Sequence, residues 1–186
     1  PEFAEACAQA SIQFIGPKPD VMRQLGNKVM ARNVAILAGV PVVPATGALP
    51  NDLNECHVVA AEVGYPLMLK ASWGGGGRGM RVVEHENELE DAINVARREA
   101  QSAFGNDEVY LEKLVRQARH VEVQIIGDTH GNIVHLFERD CTVQRRNQKV
   151  VERAPAPYLS ESQRHELCEV ALTLARAVNY THAGTV

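Results

Sequence analysis

Leu69-Lys70-Ala71-Ser72-Trp73-Gly74-Gly75-Gly76-Gly77-Arg78-Gly79-Met80 is a short apolar stretch that runs into a glycine loop and out again into Arg81-Val82-Val83. Five glycines occupy the six positions 74–79. Such a run leaves backbone N–H groups uncovered and lets the chain approach a ligand to hydrogen-bonding distance. Gly74, Gly76 and Gly79 satisfy G-x-G-x-x-G literally. In a dinucleotide fold, however, that loop opens a helix whose N-terminus meets the pyrophosphate. Here the residues that follow are strand formers, and the Gly-Lys-Ser/Thr ending of a P-loop is missing. A β-hairpin flap suited to covering phosphates remains, with Arg78 at its tip; a flexible surface turn is the plain alternative. Lys70 favours the flap, because an ammonium on the strand entering the loop reaches a phosphate or a base. Buried without a partner it would cost several kcal/mol. The alternative for Lys70 is an exposed position on an edge strand.

Around this loop the chain reads as alternating helices and strands. Residues 3–10 have helical spacing, and 12–15 read as a short strand closed by Gly16-Pro17. Asp20 is a candidate cap for a helix to Leu25. Asn27 opens another over 28–37, ended by Gly39, which puts Lys28 in its first turn. Pro41 to Gly47 reads as an extended linker, and a helix over 52–63 is stopped by Gly64-Tyr65-Pro66. Strands over 67–71 and 80–83 form the hairpin. Leu89, Ala92, Ile93, Ala96 and Ala100 form the apolar stripe of a helix, and 109–115 is strand-like. A second hairpin pairs 121–126 with 133–137 and places Glu122 and Gln124 on one face. Ser160 and Gln163 form a capping box for a last helix with the stripe Leu167, Val170, Ala171, Leu174 and Val178.

Composition narrows the classes. Of 186 residues, 45% are hydrophobic and 23% charged, which excludes disordered and collagen-like chains. A net charge of -4 provides no basic field, so nucleic acid is not an expected partner. No apolar run approaches the roughly 18 residues of a membrane span, and no signal pattern opens the chain, so a cytoplasmic protein without a membrane partner is expected. The 4 cysteines are scattered without CxxC or zinc spacing and are expected to be reduced.

Two further stretches extend the glycine loop into a family pattern. They are Glu138-Arg139-Asp140-Cys141-Thr142-Val143-Gln144-Arg145-Arg146-Asn147-Gln148-Lys149-Val150-Val151-Glu152 and Ala154-Pro155-Ala156-Pro157. With 69–80 they resemble the signatures of the biotin carboxylase domain of the ATP-grasp superfamily, in the right order along the whole chain. Carbamoyl phosphate synthetases share the ATP-grasp plan but resemble this chain less in the arginine-rich stretch. Ala71-Ser72-Trp73, Arg145-Arg146-Asn147-Gln148 and Arg153-Ala154-Pro155 are closer in wording to bacterial pyruvate carboxylases than to the acetyl-CoA carboxylase subunit, in which a glycine and a histidine are usual at positions 73 and 147.

The resemblance implies a fragment of an ATP-grasp fold, of mixed α+β and α/β class. Residues 1–44 would end the N-terminal αβ domain, 45–115 would form the lid subdomain with its glycine-rich hairpin, and 116–186 would begin a truncated C-terminal antiparallel-sheet domain. It implies a ligase that activates bicarbonate with ATP, as carboxyphosphate, and carboxylates biotin held on a carrier domain. The alternatives are an acyl-CoA carboxylase or another ATP-grasp ligase. Lys28 and Lys70 would contact ATP, and Gly76 and Gly77 would cover its phosphates. Glu112, Lys113, Leu114 and Val115 would form the adenine-binding strand, largely through backbone groups. His120 would lie near the ribose with Gln144 close by, and Lys149 would reach bicarbonate. Without the resemblance, His120 reads equally as a strand-end histidine. Arg139, Arg145 and Arg146 read as a basic strip linked internally to Glu138, Asp140 and Glu152. The Mg2+ ligands and the biotin contacts are expected beyond Val186, with no metal ligand in this chain. The parent is expected to be a homo-oligomer, and the fragment alone is not expected to turn over.

Overall fold

The computed structural model describes residues 1–75 and 77–186, so Gly76, one of the expected phosphate-covering glycines, lies outside the described residues. In chain order the elements are α1 (Glu2–Gln9), α2 (Pro19–Gly26), α3 (Lys28–Leu37), α4 (Leu53–Val63), β1 (Leu67–Ala71), β2 (Arg81–Val83), α5 (Leu89–Phe104), β3 (Val109–Lys113), β4 (Val121–Gly127), β5 (Ile133–Arg145), β6 (Gln148–Arg153), α6 (Glu161–Ala177) and β7 (His182–Thr185). They divide into two compact units, one of Gly26–Arg32 and Val42–Ala118, the other of Pro1–Leu25, Asn33–Pro41 and Arg119–Val186.

The first unit is built on a 3-stranded antiparallel sheet ordered β2-β1-β3. Leu67, Leu69 and Ala71 are buried while Met68 and Lys70 between them are half-buried, the period-2 alternation of a strand with one face on a core. That core joins Leu67, Leu69, Val83, Val109 and Leu111 to Cys56 and Ala60 of α4 and to Leu89, Ile93, Ala96 and Ala100 of α5. The stripe read from the sequence thus faces the sheet. Asp52 caps α4 by accepting from the N–H groups of Asn54 and Glu55, and Gly105 ends α5 in the left-handed conformation. On the opposite face Lys70 stands directly across from Tyr110, with Glu112 two residues along the same strand.

The second unit holds a 4-stranded sheet ordered β6-β5-β4-β7, with α6 packed on one face. Ser160 and Gln163 form the expected capping box of α6. The buried side of α6 is Cys168, Ala171, Leu172, Ala175 and Val178, while Leu167, Val170 and Leu174 flank it half-buried. The expected stripe is therefore rotated: small residues face the sheet and let the helix approach closely. β5 also runs on to Arg145 instead of stopping near 137. It turns into β6 through Arg146 and Asn147, both at positive φ (50 and 64), the two-residue hairpin turn that matches strand twist.

Two local expectations fail. Residues 12–15 form no strand: the Ile12 N–H donates back to the Cys7 carbonyl, Ile12 and Ile15 are exposed, and among the described residues the segment meets β7 only through the Gln13 side chain, 2.8 Å from the His182 ring, without backbone pairing. Asp20 sits inside α2 rather than capping it, because Pro19 takes the first helical position, where its missing N–H is harmless. No helix among the described residues is long and apolar enough to cross a membrane.

Candidate functional site

In the first unit the cationic side chains gather where the glycine loop leaves β1. Asn27 caps α3, its Oδ1 accepting from the N–H groups of Val29 and Met30 at 2.9 and 3.0 Å while its Nδ2 donates to Glu108 at 2.8 Å. This fixes Lys28, whose N–H donates to the Ser72 carbonyl at 2.9 Å and whose ammonium donates to the carbonyls of Ala71 (3.1 Å) and Gly74 (2.5 Å). Burial, reinforced by the charge of Lys70, pulls the Lys28 pKa below the ordinary lysine value, and Glu112 only partly offsets this. Lys70 is on the central strand, not an edge, and its ammonium lies 2.7 Å from Glu112 Oε1. Tyr110 donates its hydroxyl to Glu112 Oε2 at 3.0 Å. Glu112 pairs with Lys70, while among the described residues the Lys28 ammonium beside the loop is met only by backbone carbonyls and no carboxylate.

The loop demands glycine at its start. Gly74 has φ +79, and a Cβ there would lie 2.2 Å from the Phe104 ring. Gly77 is also at positive φ (77). Lys113 turns its ammonium to the carbonyls of Gly64 and Tyr65, 2.8 Å from each, away from Lys70. The N–H groups of Lys113 and Leu114 donate to the Pro44 and Pro66 carbonyls at 2.8 and 3.2 Å. Among the described residues the Val115 N–H donates to no backbone carbonyl.

In the second unit, His120, Gln144 and Lys149 collect around Glu122, which is 5% exposed. Lys149 of β6 hydrogen-bonds one carboxylate oxygen and Arg139 of β5 the other. Arg139 also reaches Gln124 at 2.7 Å and Glu152 at 3.2 Å. Burial by itself would raise the Glu122 pKa, but the hydrogen bonds from Lys149 and Arg139 outweigh it and hold the carboxyl below its ordinary value. The same bond to Glu122 raises Lys149. Gln144 stands opposite Lys149 in the ladder, and its amide lies 3.1 Å from His120 Nδ1. The other ring nitrogen, Nε2, lies 3.7 Å from Glu122. The His120 N–H donates to Thr142 Oγ1 at 3.0 Å, and that hydroxyl donates to Asp140 at 2.5 Å.

Arg145 and Arg146 do not make the internal salt links expected of them. Both are exposed at the hairpin tip and form no ion pair among the described residues. The acidic partners are taken by other cations: Asp140 by Arg153 at 3.2 Å and the fully buried Glu138 by Arg164 at 2.8 Å. Sequence reasoning also passed over Tyr110 and gave Glu122 no more than a face. Strand alternation marks both, since each lies two residues from another polar position on its own strand.

Glu122, Cys141 and Glu152 have potential ligand atoms within 4.8 Å of one another. This set does not suit Mg2+, which prefers oxygen donors, because one ligand would be a thiol and Glu122 is already committed to two cations.

Each unit thus carries its own basic cluster, Lys28 and Lys70 beside the glycine loop in one and Arg139 and Lys149 around Glu122 in the other. Residues 27–186 match the family of carbamoyl-phosphate synthase L chain, ATP binding domain, and the chain belongs to that family. It is 52% identical over 185 residues to the mitochondrial pyruvate carboxylase of Rattus norvegicus, an alignment covering 100% of this chain and 16% of that protein. A Rhizobium etli pyruvate carboxylase solved with the allosteric activator acetyl coenzyme-A superposes with a TM-score of 0.91 at 68% identity, over 100% of this chain and 16% of that one. The biotin carboxylase domain of the Hydrogenobacter thermophilus 2-oxoglutarate carboxylase, solved with MgADP, ADP and bicarbonate, gives a TM-score of 0.93 at 43% identity, over 99% of this chain and 41% of that one. The fold is therefore that part of an ATP-grasp biotin carboxylase domain, and the chain spans only 16% of the length of the pyruvate carboxylases it matches.

Proposed function

We propose that the chain is the ATP-binding part of a biotin carboxylase domain in an enzyme of the pyruvate carboxylase kind. In that reading ATP activates bicarbonate as carboxyphosphate, biotin on a carrier domain is carboxylated, and pyruvate is finally converted to oxaloacetate. The observation that carries it is the gathering of Lys28 and Lys70 beside the glycine loop, in a chain similar along its whole length to biotin-dependent carboxylases. Lys28, Lys70 and the backbone of Gly76 and Gly77 receive the nucleotide phosphates, and the Val115 N–H is available to the adenine edge. His120 and Gln144 serve the ribose. Lys149, balanced by Glu122, takes the bicarbonate anion; the bicarbonate in the Hydrogenobacter relative supports bicarbonate as a substrate, without assigning the residue that holds it. Phosphoryl transfer asks mainly for positioning and charge neutralisation, and ammonium groups and backbone amides supply both. Mg2+, which would neutralise phosphate charge, would be held by residues outside those described, and the biotinylated carrier and a homo-oligomeric parent belong to the same reading. Four unpaired buried cysteines suit a reducing compartment such as the cytoplasm.

The test uses the full-length enzyme that carries this sequence, assayed for bicarbonate-dependent ADP release stimulated by free biotin. Lys149→Gln should lower that rate by about 100-fold, raise the bicarbonate requirement and leave ATP affinity near normal. Weakened ATP binding with unchanged bicarbonate dependence would make Lys149 a nucleotide ligand. ATP turnover that ignores biotin would assign the chain to another ligase of the family.

A further inference from the structure

We propose that Tyr110 is a positioning residue for the nucleotide: its hydroxyl fixes the Glu112 carboxylate, which in turn fixes the Lys70 ammonium. This rests on the reading of Lys70 as an ATP ligand. The three side chains share one face of the sheet because Lys70 pairs directly with Tyr110 and Glu112 lies two residues further along β3. Glu112 gives Oε1 to Lys70 at 2.7 Å and Oε2 to the Tyr110 hydroxyl at 3.0 Å, so both of its oxygens are restrained.

The ends of this chain differ in freedom. Tyr110 is 3% exposed, and its ring is held by packing. Lys70 and Glu112 side chains are 22% and 21% exposed, and each has several rotors. A lysine left to itself loses much of its rotamer freedom when a ligand fixes it. A carboxylate anchored to a buried phenol orders the ammonium beforehand and lowers that cost. Among the described residues the hydroxyl has no other partner, and phenylalanine would fill the same apolar space. Burial, then the nearby Glu112 charge, raises the Tyr110 pKa far above the ordinary tyrosine value, so the group remains a donor throughout the working pH range.

The experiment is a double-mutant cycle on MgATP affinity in the full-length enzyme, with Tyr110→Phe and Lys70→Gln made singly and together. Tyr110→Phe should weaken MgATP binding about fivefold, the size of one hydrogen bond, while Lys70→Gln weakens it tenfold or more. In the Lys70→Gln background Tyr110→Phe should add nothing, an outcome that a merely structural tyrosine would not give. Equal losses in both backgrounds, or no loss in the native one, would overturn the positioning role. Unchanged affinity for Lys70→Gln alone would instead overturn the reading of Lys70. If Tyr110→Phe fails to fold, 4-fluorophenylalanine at the same position fills the space of the hydroxyl without donating, and the same two outcomes decide.

Discussion

The two units solve the burial of charge in opposite ways. Among the described residues, the glycine-loop unit has one continuous core of 13 buried apolar residues and no buried carboxylate; Lys70 sits half-buried on the sheet face away from that core. The four-stranded unit has a core cluster of 6 and encloses Glu122, Glu138 and Asp140, each with a basic partner. Apolar packing tolerates many sequences of similar volume, whereas a buried carboxylate tolerates only the partner that neutralises it. The first unit is therefore specified by a pattern and the second by particular pairs.

The largest effect should come from orphaning Glu138, which is 0% exposed and bonded to Arg164 and to the Ala156 N–H. Arg164→Met should cost about 3–5 kcal/mol, read as lost hydrogen-exchange protection in β5 and α6. Adding Glu138→Leu should restore most of it, because an apolar pair of similar volume replaces the ions. Failure of that rescue would show that the surrounding backbone, not the charge, needs the pair. In the other unit Ile93→Ala, at a fully buried position of α5, should cost about 2–4 kcal/mol in α5 and β1, with no dependence on pH.

The smallest effect concerns acid. The Thr142 hydroxyl, with help from its N–H and from Arg153, draws the Asp140 pKa to about 2. A folded-state value below the unfolded one of about 3.9 contributes stability above pH 4 and loses it as pH falls towards 2. Burial is outweighed by hydrogen bonds at Glu122 and Glu138, so their lowered values act with the same sign. Asp140→Asn should therefore weaken protection in β5 at pH 7, and most of that deficit should be gone by pH 2, where the folded-state carboxyl is about half protonated. An equal deficit at both pH values would assign the loss to the geometry of the β5–β6 pair rather than to charge.

The same contrast explains what the sequence reveals. The caps at Asn27, Asp52 and Ser160, the hairpin around the glycine loop and the α5 stripe are legible because each is set within a few residues. β6 is not, since all six of its residues are exposed and give no alternation of burial to read. Its turn is written Arg-Asn rather than with a glycine, so the usual hairpin signal is missing as well. The rotation of α6 depends on how closely the sheet approaches, which no periodicity contains. In the candidate site Lys28, Lys70 and Lys149 stand out by type and place. The choice of Arg153 over Arg145 and Arg146 emerges only from the β5–β6 register, which sets Arg153 opposite Asp140, and that of Arg164 only from the packing of α6 on the sheet.

Lys28 brings a different kind of consequence. Its ammonium is already engaged by the carbonyls of Ala71 and Gly74, and its N–H by that of Ser72. Any anion that claims the ammonium must compete with the protein's own oxygens, so the affinity measured is the difference between two bonds and not the strength of one. The exchange also unstitches the loop entrance from the start of α3. An anion held by Lys28 would therefore be coupled in free energy to the contacts at the loop entrance.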